Sequence, residues 1–220
     1  FVCVASNISR QKRAEAQLRA SLQEKELLLK EVHHRVKDNL QVISSLLNLQ
    51  SREISDPEIA QLFQESQGRI RSMALIHEQL YRSSDLARID FAAYVEDLVG
   101  HLRRGVGRRA APVTFQLEVQ PLPLPLDLAI PCGMIVNELV SNALEHAFPD
   151  GRSGEIRVRF TQDADGYHLA VADDGVGIKK DRSDAQPPSL GLRVVEALTR
   201  QIDGDLTVRH NGGARFEIRF

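Results

Sequence analysis

Between residues 9 and 52 the chain contains neither glycine nor proline and is rich in Gln, Glu, Lys, Arg, Ala and Leu. These residues favour helix and nothing in the stretch breaks the backbone, so one long helix is expected. The sequence SDPE at residues 55–58 interrupts it and reads as an N-cap with proline in the first turn of a second helix. That helix carries Ile59, Leu62, Phe63, Ile70, Met73, Ile76 and Leu80 at three- and four-residue spacing and ends near Tyr81. Two antiparallel helices joined by a short turn form a hairpin. Its apolar face calls for a partner, either a second copy or another helix pair.

After SSDLARID, residues 83–90, the texture changes. FAAYVEDLVGHLRR is an amphipathic helix, VTFQLEV alternates like a strand, and PLPLPLDLAIP is a proline-punctuated connection. CGMIVNELVSNALEHAF reads as a buried helix stopped by PDG, and SLGLRVVEALTRQI as one further helix. EIRVRF, YHLAVADD, DLTVRH and ARFEIRF alternate between Gly and Asp turns and read as strands. Three helices and about five strands joined by hairpins predict an α+β layer, a mostly antiparallel sheet with helices on one face.

Charge and cysteine content narrow the function classes. Acids and bases are mixed and the net charge is −2, which leaves no basic footprint for nucleic acid or a membrane surface. Cys3 and Cys132 make no disulfide framework and sit in no metal-spaced cluster, so both read as reduced structural cysteines. There is no apolar run long enough to span a bilayer and no cleavable leader. The expectation is a cytosolic chain, or the cytosolic part of a larger one.

The helix at residues 132–147 carries Glu138, Asn142 and His146 four residues apart, on one polar stripe opposite an apolar face. A solvated surface and a ligand site are both open on this helix alone. Asn is a poor helix former and contributes little to a surface, whereas its oxygen suits a hard cation such as Mg²⁺. VADDGVGI follows a strand, and Gly175 and Gly177 permit a tight turn and close approach of a ligand. An acid at the strand end can accept a hydrogen bond from an exocyclic amine. Gly191 stands directly before a helix whose free N–H groups offer a phosphate site. The polar, proline-containing KKDRSDAQPPS between them has the composition of a mobile lid.

Each of these signals is weak alone, but their order is specific. N-E-x-x-x-N-A-x-x-H-A, then D-D-G-V-G-I, then L-G-L, then G-G-x-x-F resembles the ATP-binding domain of sensor histidine kinases and their wider ATPase superfamily, over roughly residues 90–220. The resemblance implies an α/β sandwich with ATP between helix and lid. It assigns Asn142 to Mg²⁺ chelation, with Glu138 the acid one turn earlier. Asp173 becomes the carboxylate that reads the adenine amine, with Gly175 and Gly177 shaping the pocket. Gly191 and Leu192 match the glycine box at the lid end, and His146 falls near the phosphates. Ala214 departs from the pattern, which usually has Thr there.

The long helix contains two adjacent histidines. Its apolar stripe runs Leu29, Val32, Val36, Leu40, Ile43, Leu47. At ~100° per residue His33 lies roughly 55° from the stripe centre and His34 about 155° away, facing out. Asp38 and Lys37 are the surface neighbours of His34, and two His at i, i+1 make a poor zinc pair. EVHHRVKDNLQVISSLLNLQ resembles the dimerisation and phosphoacceptor segment of the second histidine-kinase subfamily and of the related His-Trp-Glu group, whose pattern is H-R-x-K-N-x-L-Q. The match continues through RIRSMALIHEQLYRSSDLARIDFAAYVEDL. In that pattern the phosphorylated residue precedes the Arg, which is His34 here. Arg35 and Lys37 then read as stabilisers of transferring charge. Asp38 stands where the family usually has Asn, one turn from the acceptor.

The first residues, up to Asn7-Ile8-Ser9, resemble the last strand of a PAS sensor domain and its D-I-T exit motif. The implied organisation is a PAS-like tail at 1–8, a connecting helix and phosphoacceptor hairpin at 9–86, and an ATP-binding domain at 87–220. The expected protein is an ATP- and Mg²⁺-dependent histidine kinase that autophosphorylates on His34 and passes the phosphoryl group to an aspartate of a response regulator. A homodimer through the hairpins and an upstream sensor domain are implied with it. The rivals are a superfamily ATPase without a histidine acceptor and a nucleotide-binding scaffold that sequesters a partner.

Overall fold

The computed structural model describes residues 2–82, 88–105, 113–177, 189–210 and 212–220. The SSDLARID segment at 83–90 and the lid expected at 179–189 therefore fall largely outside the described residues. Helix α1, Val2–Ser51, is the uninterrupted helix that the Gly- and Pro-free stretch predicts, 50 residues long. Asp56 caps the second helix: its carboxylate accepts from the Ile59 N–H at 3.4 Å and its carbonyl from the Ala60 N–H at 2.9 Å. Pro57 then opens α2, Pro57–Arg82, at a position where its missing N–H costs nothing. The two helices form the expected hairpin. Val32, Ile43, Leu46, Ile59 and Leu62 on it remain about half exposed.

Residues 2–8 correct one expectation. They are helical, not a strand. Extending an existing helix gains one hydrogen bond per residue.

The second half opens with β1, Arg88–Asp90, and α3, Phe91–Gly105. Next come β2, Val113–Val119, β3, Pro123–Pro125, and α4, Leu126–His146. The remaining elements are β4, Gly154–Asp163; β5, Gly166–Asp173; α5, Leu190–Gln201; β6, Asp205–Arg209; and β7, Arg215–Arg219. Five strands form one sheet in the order β2-β4-β5-β7-β6, antiparallel except for the β2–β4 pair. Along β4, Ile156, Val158 and Phe160 are fully buried while Arg157 and Arg159 face out. Those arginines bond Gln116 and Glu118 on β2 at 2.8 and 2.7 Å, their partners in the ladder. One apolar face and one ion-paired face identify a two-layer sandwich with its helices on a single side. This is the α+β class expected.

Two details were not expected. β1 and β3 pair antiparallel, Ile89 opposite Leu124, both buried. Helix α4 begins at Leu126, so half of the supposed connection is helical and Pro131 lies inside the helix. A proline there removes one backbone hydrogen bond near the helix start, and full burial of Ala129 and Cys132 offsets the loss. Burial also pushes the Cys132 thiol up, which leaves it protonated and inert.

The hairpin packs onto the sandwich through α2. Ile76 and Ser72 are completely buried, and the Tyr94 hydroxyl on α3 donates to the Ser72 carbonyl at 3.3 Å. Gly133 on α4 makes room for that tyrosine: a Cβ there would stand 2.3 Å from the Tyr94 oxygen. Gly→Ala inside a helix ordinarily stabilises by about 1 kcal/mol. Gly133→Ala is expected to destabilise by about 1–3 kcal/mol through overpacking, read as a lower midpoint in urea unfolding; a raised midpoint would overturn this account.

Candidate functional site

The polar stripe of α4 runs from the interior to the surface. Glu138 is buried, Asn142 is half-buried and His146 is exposed near the helix end. A solvated face therefore describes His146 and fails for Glu138. Burying a carboxylate is costly unless it is paired, and Glu138 is paired bidentately: Arg69 on α2 donates Nε to Oε1 at 2.9 Å and Nη2 to Oε2 at 2.7 Å. Both side chains are sheltered, 14% and 6% exposed. Asn137 adds a 3.3 Å bond from Nδ2 to Glu138 Oε1.

Helix α5 starts against this stripe. Ser189 caps it, its hydroxyl accepting from the Leu192 N–H at 3.5 Å. Gly191 in the first turn is buried, and a Cβ there would lie 3.0 Å from Glu138 Oε2 and 3.4 Å from Asn142 Nδ2. The glycine thus lets the N-terminus of α5 close on the carboxylate and the amide.

Asp173 ends β5 with its carboxylate anchored by main chain. Oδ1 accepts from the Gly175 N–H at 2.9 Å and the Ala214 N–H at 3.3 Å, while the Asp173 N–H donates to the Ala214 carbonyl at 2.9 Å. Ala214 serves through its backbone. Gly175 packs on the Ala147 carbonyl at the end of α4, where a Cβ would approach to 2.3 Å, and the Val176 N–H donates to the same oxygen at 2.9 Å. Gly177 has φ +70°, where a side chain is strained. The structure therefore gathers Asp173, Gly175 and Gly177 at one end of α4 and Glu138, Asn142, Gly191 and Leu192 along it. A carboxylate with its second oxygen unclaimed among the described residues, a glycine turn and a helix N-terminus suit an adenine nucleotide. A half-buried amide oxygen beside a carboxylate suits Mg²⁺.

The histidines of α1 diverge. His33 Nδ1 meets His77 Nδ1 on α2 at 3.1 Å. Burial holds both imidazoles below the ordinary His value, and His33 lowers His77 further. His34 lies outward, 46% exposed, with Nδ1 3.1 Å from Asp38 Oδ2. Lys37 reaches Glu78 on α2 at 3.6 Å and Arg35 binds Glu31 at 2.8 Å, so both cations already have carboxylate partners. His34 and Glu138 are not brought together. Arg69 and His77 are eight residues apart on α2, so their levels differ by about 12 Å along the helix.

Arg69, Asn137 and Tyr94 escaped the sequence reading. Arg69 had a signal: it precedes Ser72 and Ile76 by three and seven residues, which puts a cation on the buried side of α2. Asn137 and Gln67 line a cavity of about 270 Å³ between α2, α3 and α4, where Asn137 Oδ1 and Gln67 Nε2 lack partners.

Known proteins align with both halves. Residues 31–106 match a family described as histidine kinase, and residues 128–220 match the histidine kinase-, DNA gyrase B- and HSP90-like ATPase family. Sensor histidine kinase PdtaS of Mycobacterium tuberculosis is 33% identical over 187 residues, covering 84% of this chain and 37% of that protein. Blue-light-activated histidine kinase 2 of Erythrobacter litoralis is 28% identical over 189 residues, 84% of this chain and 54% of that protein. The chain thus spans about a third to a half of these curated relatives. Among solved structures, an Erythrobacter litoralis blue-light activated histidine kinase superposes with a TM-score of 0.65 at 26% identity, over 86% of this chain and 57% of that one.

The His33–His77 contact carries a pH signature. A neutral pair held below the ordinary value resists protonation in the folded state, so the unfolded chain binds the proton first. Its contribution is complete above about pH 6.5 and is lost as pH falls below that value. The urea midpoint is expected to drop between about pH 7.5 and about pH 5.5, and to drop less in His33→Asn/His77→Asn; equal slopes would refute this.

Proposed function

The chain belongs to the histidine kinases, carrying their phosphoacceptor hairpin and their ATPase domain, and from that premise we propose that it transfers the γ-phosphoryl group of ATP to His34. The observation that carries this reading is the His34–Asp38 pair. With Nδ1 donating its hydrogen to Asp38, the neutral ring keeps the Nε2 lone pair for attack on phosphorus, on a side chain that is half-exposed. Nε2 forms the new bond to phosphorus as the bond between the γ-phosphorus and the bridging oxygen of ADP breaks. The Nδ1 proton can then pass to Asp38, which offsets the positive charge gained by the ring. The phosphoryl group goes on from His34 to an aspartate carboxylate of a response regulator.

In the ATP-binding half, Asp173 accepts from the adenine amine, and the first turn of α5 at Gly191 and Leu192 binds phosphate oxygens with its N–H groups. Asn142 and, once released, Glu138 would hold Mg²⁺, which supplies charge neutralisation at the phosphates. His146 stands at the exposed end of the same stripe, beside the Ala147 carbonyl on which Gly175 packs. Arg35 and Lys37 contribute positive potential beside His34 while paired to Glu31 and Glu78. The half-exposed apolar side chains of the hairpin support a homodimer through α1 and α2. An upstream sensor would act through α1. No helix among the described residues is long and apolar enough to cross a membrane.

Incubation with labelled ATP and Mg²⁺ tests this. His33→Ala is expected to retain acid-labile label and His34→Ala to lose it; label that persists in His34→Ala but not in His33→Ala would move the acceptor. Asp38→Asn is expected to retain label at a rate about 100-fold below the parent, since the amide still orients the ring but accepts no proton; label in Asp38→Asn alone would show that the acid blocks transfer. Asp173→Asn is expected to weaken ATP binding about 10- to 100-fold, the loss of one charge-assisted hydrogen bond, measured by titration calorimetry.

A further inference from the structure

Polar contacts from α1 to α2 leave from two residues one turn apart. His33 Nδ1 meets His77 Nδ1 at 3.1 Å, with the rings tilted by 38° and their centres 5.3 Å apart. Lys37 reaches Glu78 at 3.6 Å. Positions 33 and 37 share one face of α1, and their partners are consecutive on α2. The pair His34 and Asp38, at 3.1 Å, takes the next residue in each case. Each of its members therefore follows a tied residue, and the acceptor face stands about 100° around α1 from the tied face.

The two ties are unequal. The Lys37–Glu78 pair is 24% and 31% exposed and long for an ion pair, so it adds little. The imidazoles are partly buried, and one Nδ1 must donate to the other along a fixed direction. Burial holds both rings below the ordinary His value, which favours the neutral forms that such a bond needs. Apolar packing along the hairpin is non-directional and leaves the angle of α1 about its own axis loosely set. That angle matters at the acceptor. At a side-chain radius of about 6 Å, turning α1 by about 10° moves His34 by about 1 Å. A misplacement of about 1 Å costs a transfer step about 100-fold.

We propose that His77 is a positioning residue for phosphoryl transfer: through its bond to His33 it sets the rotation of α1, and with it the direction in which His34 presents Nε2. This deepens the kinase reading and rests on it. His77 lies eight residues, about 12 Å along α2, from the level of Arg69 and Glu138, so its contribution falls on the transfer step and not on ATP binding. The Lys37–Glu78 pair is the second point of the same brace and keeps Asp38 in step with His34.

A double-mutant cycle on His34 labelling in the full chain tests this. His33→Ala and His77→Leu each remove the bond from one side. Each is expected to keep its label but to slow the maximal rate about tenfold or more, with the KM for ATP and the affinity for a fluorescent ATP analogue unchanged. The double variant is expected to be no slower than the slower single one, because the two act as a pair. His77→Asn places an amide where Nδ1 stands and is expected to label within about threefold of the parent. Urea unfolding confirms that each variant is folded under the assay conditions; where one single variant is not, the other and His77→Asn carry the comparison. Labelling of the folded single variants at the parental rate overturns the proposal. So do losses that multiply in the double variant, a loss that appears only as a raised KM, or a His77→Asn protein as slow as His77→Leu. No label on His34 in the parent overturns the kinase reading, and the proposal with it.

Discussion

A carboxylate deep between two helices must be answered by a cation, and the position of Glu138 imposes that demand on the whole molecule. Its place on α4 is set by the apolar face of that helix, where Ile135, Val136, Leu139 and Val140 are buried against the sheet. Once that face is down, position 138 points at α2 and is almost fully withdrawn from water. Arg69 answers from α2, and the same helix face brings Ser72 and Ile76 into the shared core. The hairpin and the sandwich are thereby one packed body rather than two beads on a chain.

Most of the architecture was legible because it follows from period and punctuation. The long helix follows from a stretch without Gly or Pro, the hairpin from the Asp56 cap and Pro57, and the one-sided sheet from strict alternation in EIRVRF and its neighbours. What escaped is what tertiary contact decides. A three-residue ladder such as β1–β3 is too short to leave a pattern, and Pro131 reads as a breaker until the burial around it is known. Residues 2–8 look like a strand by composition, and continuation of the helix prevails.

The site was legible in part. Asp173, the glycines and Asn142 sit in an ordered set of motifs, and the angular position of His34 follows from helix geometry alone. The pairing of Glu138 was hidden because its partner lies 69 positions earlier in the chain, in a segment whose motif concerns the other half of the chemistry. Spacing on a single helix showed a polar stripe. It did not show that the stripe begins in the interior and ends in solvent.

The anchoring of Asp173 by Ala214 has a consequence for how the chain tolerates change. The carboxylate is aimed by two main-chain amides, and one of them belongs to the residue just before β7. Its direction is therefore set by the alignment of β5 on β7, Val171 opposite Phe216 and Ala172 opposite Arg215. The sheet works as a gauge block for the nucleotide end of the site. Side-chain identity at position 214 is free to drift within the space available, while a one-residue slip of the ladder would turn inward faces outward and misdirect the acid. The aim of that carboxylate is stored in strand alignment, where point substitutions reach it least.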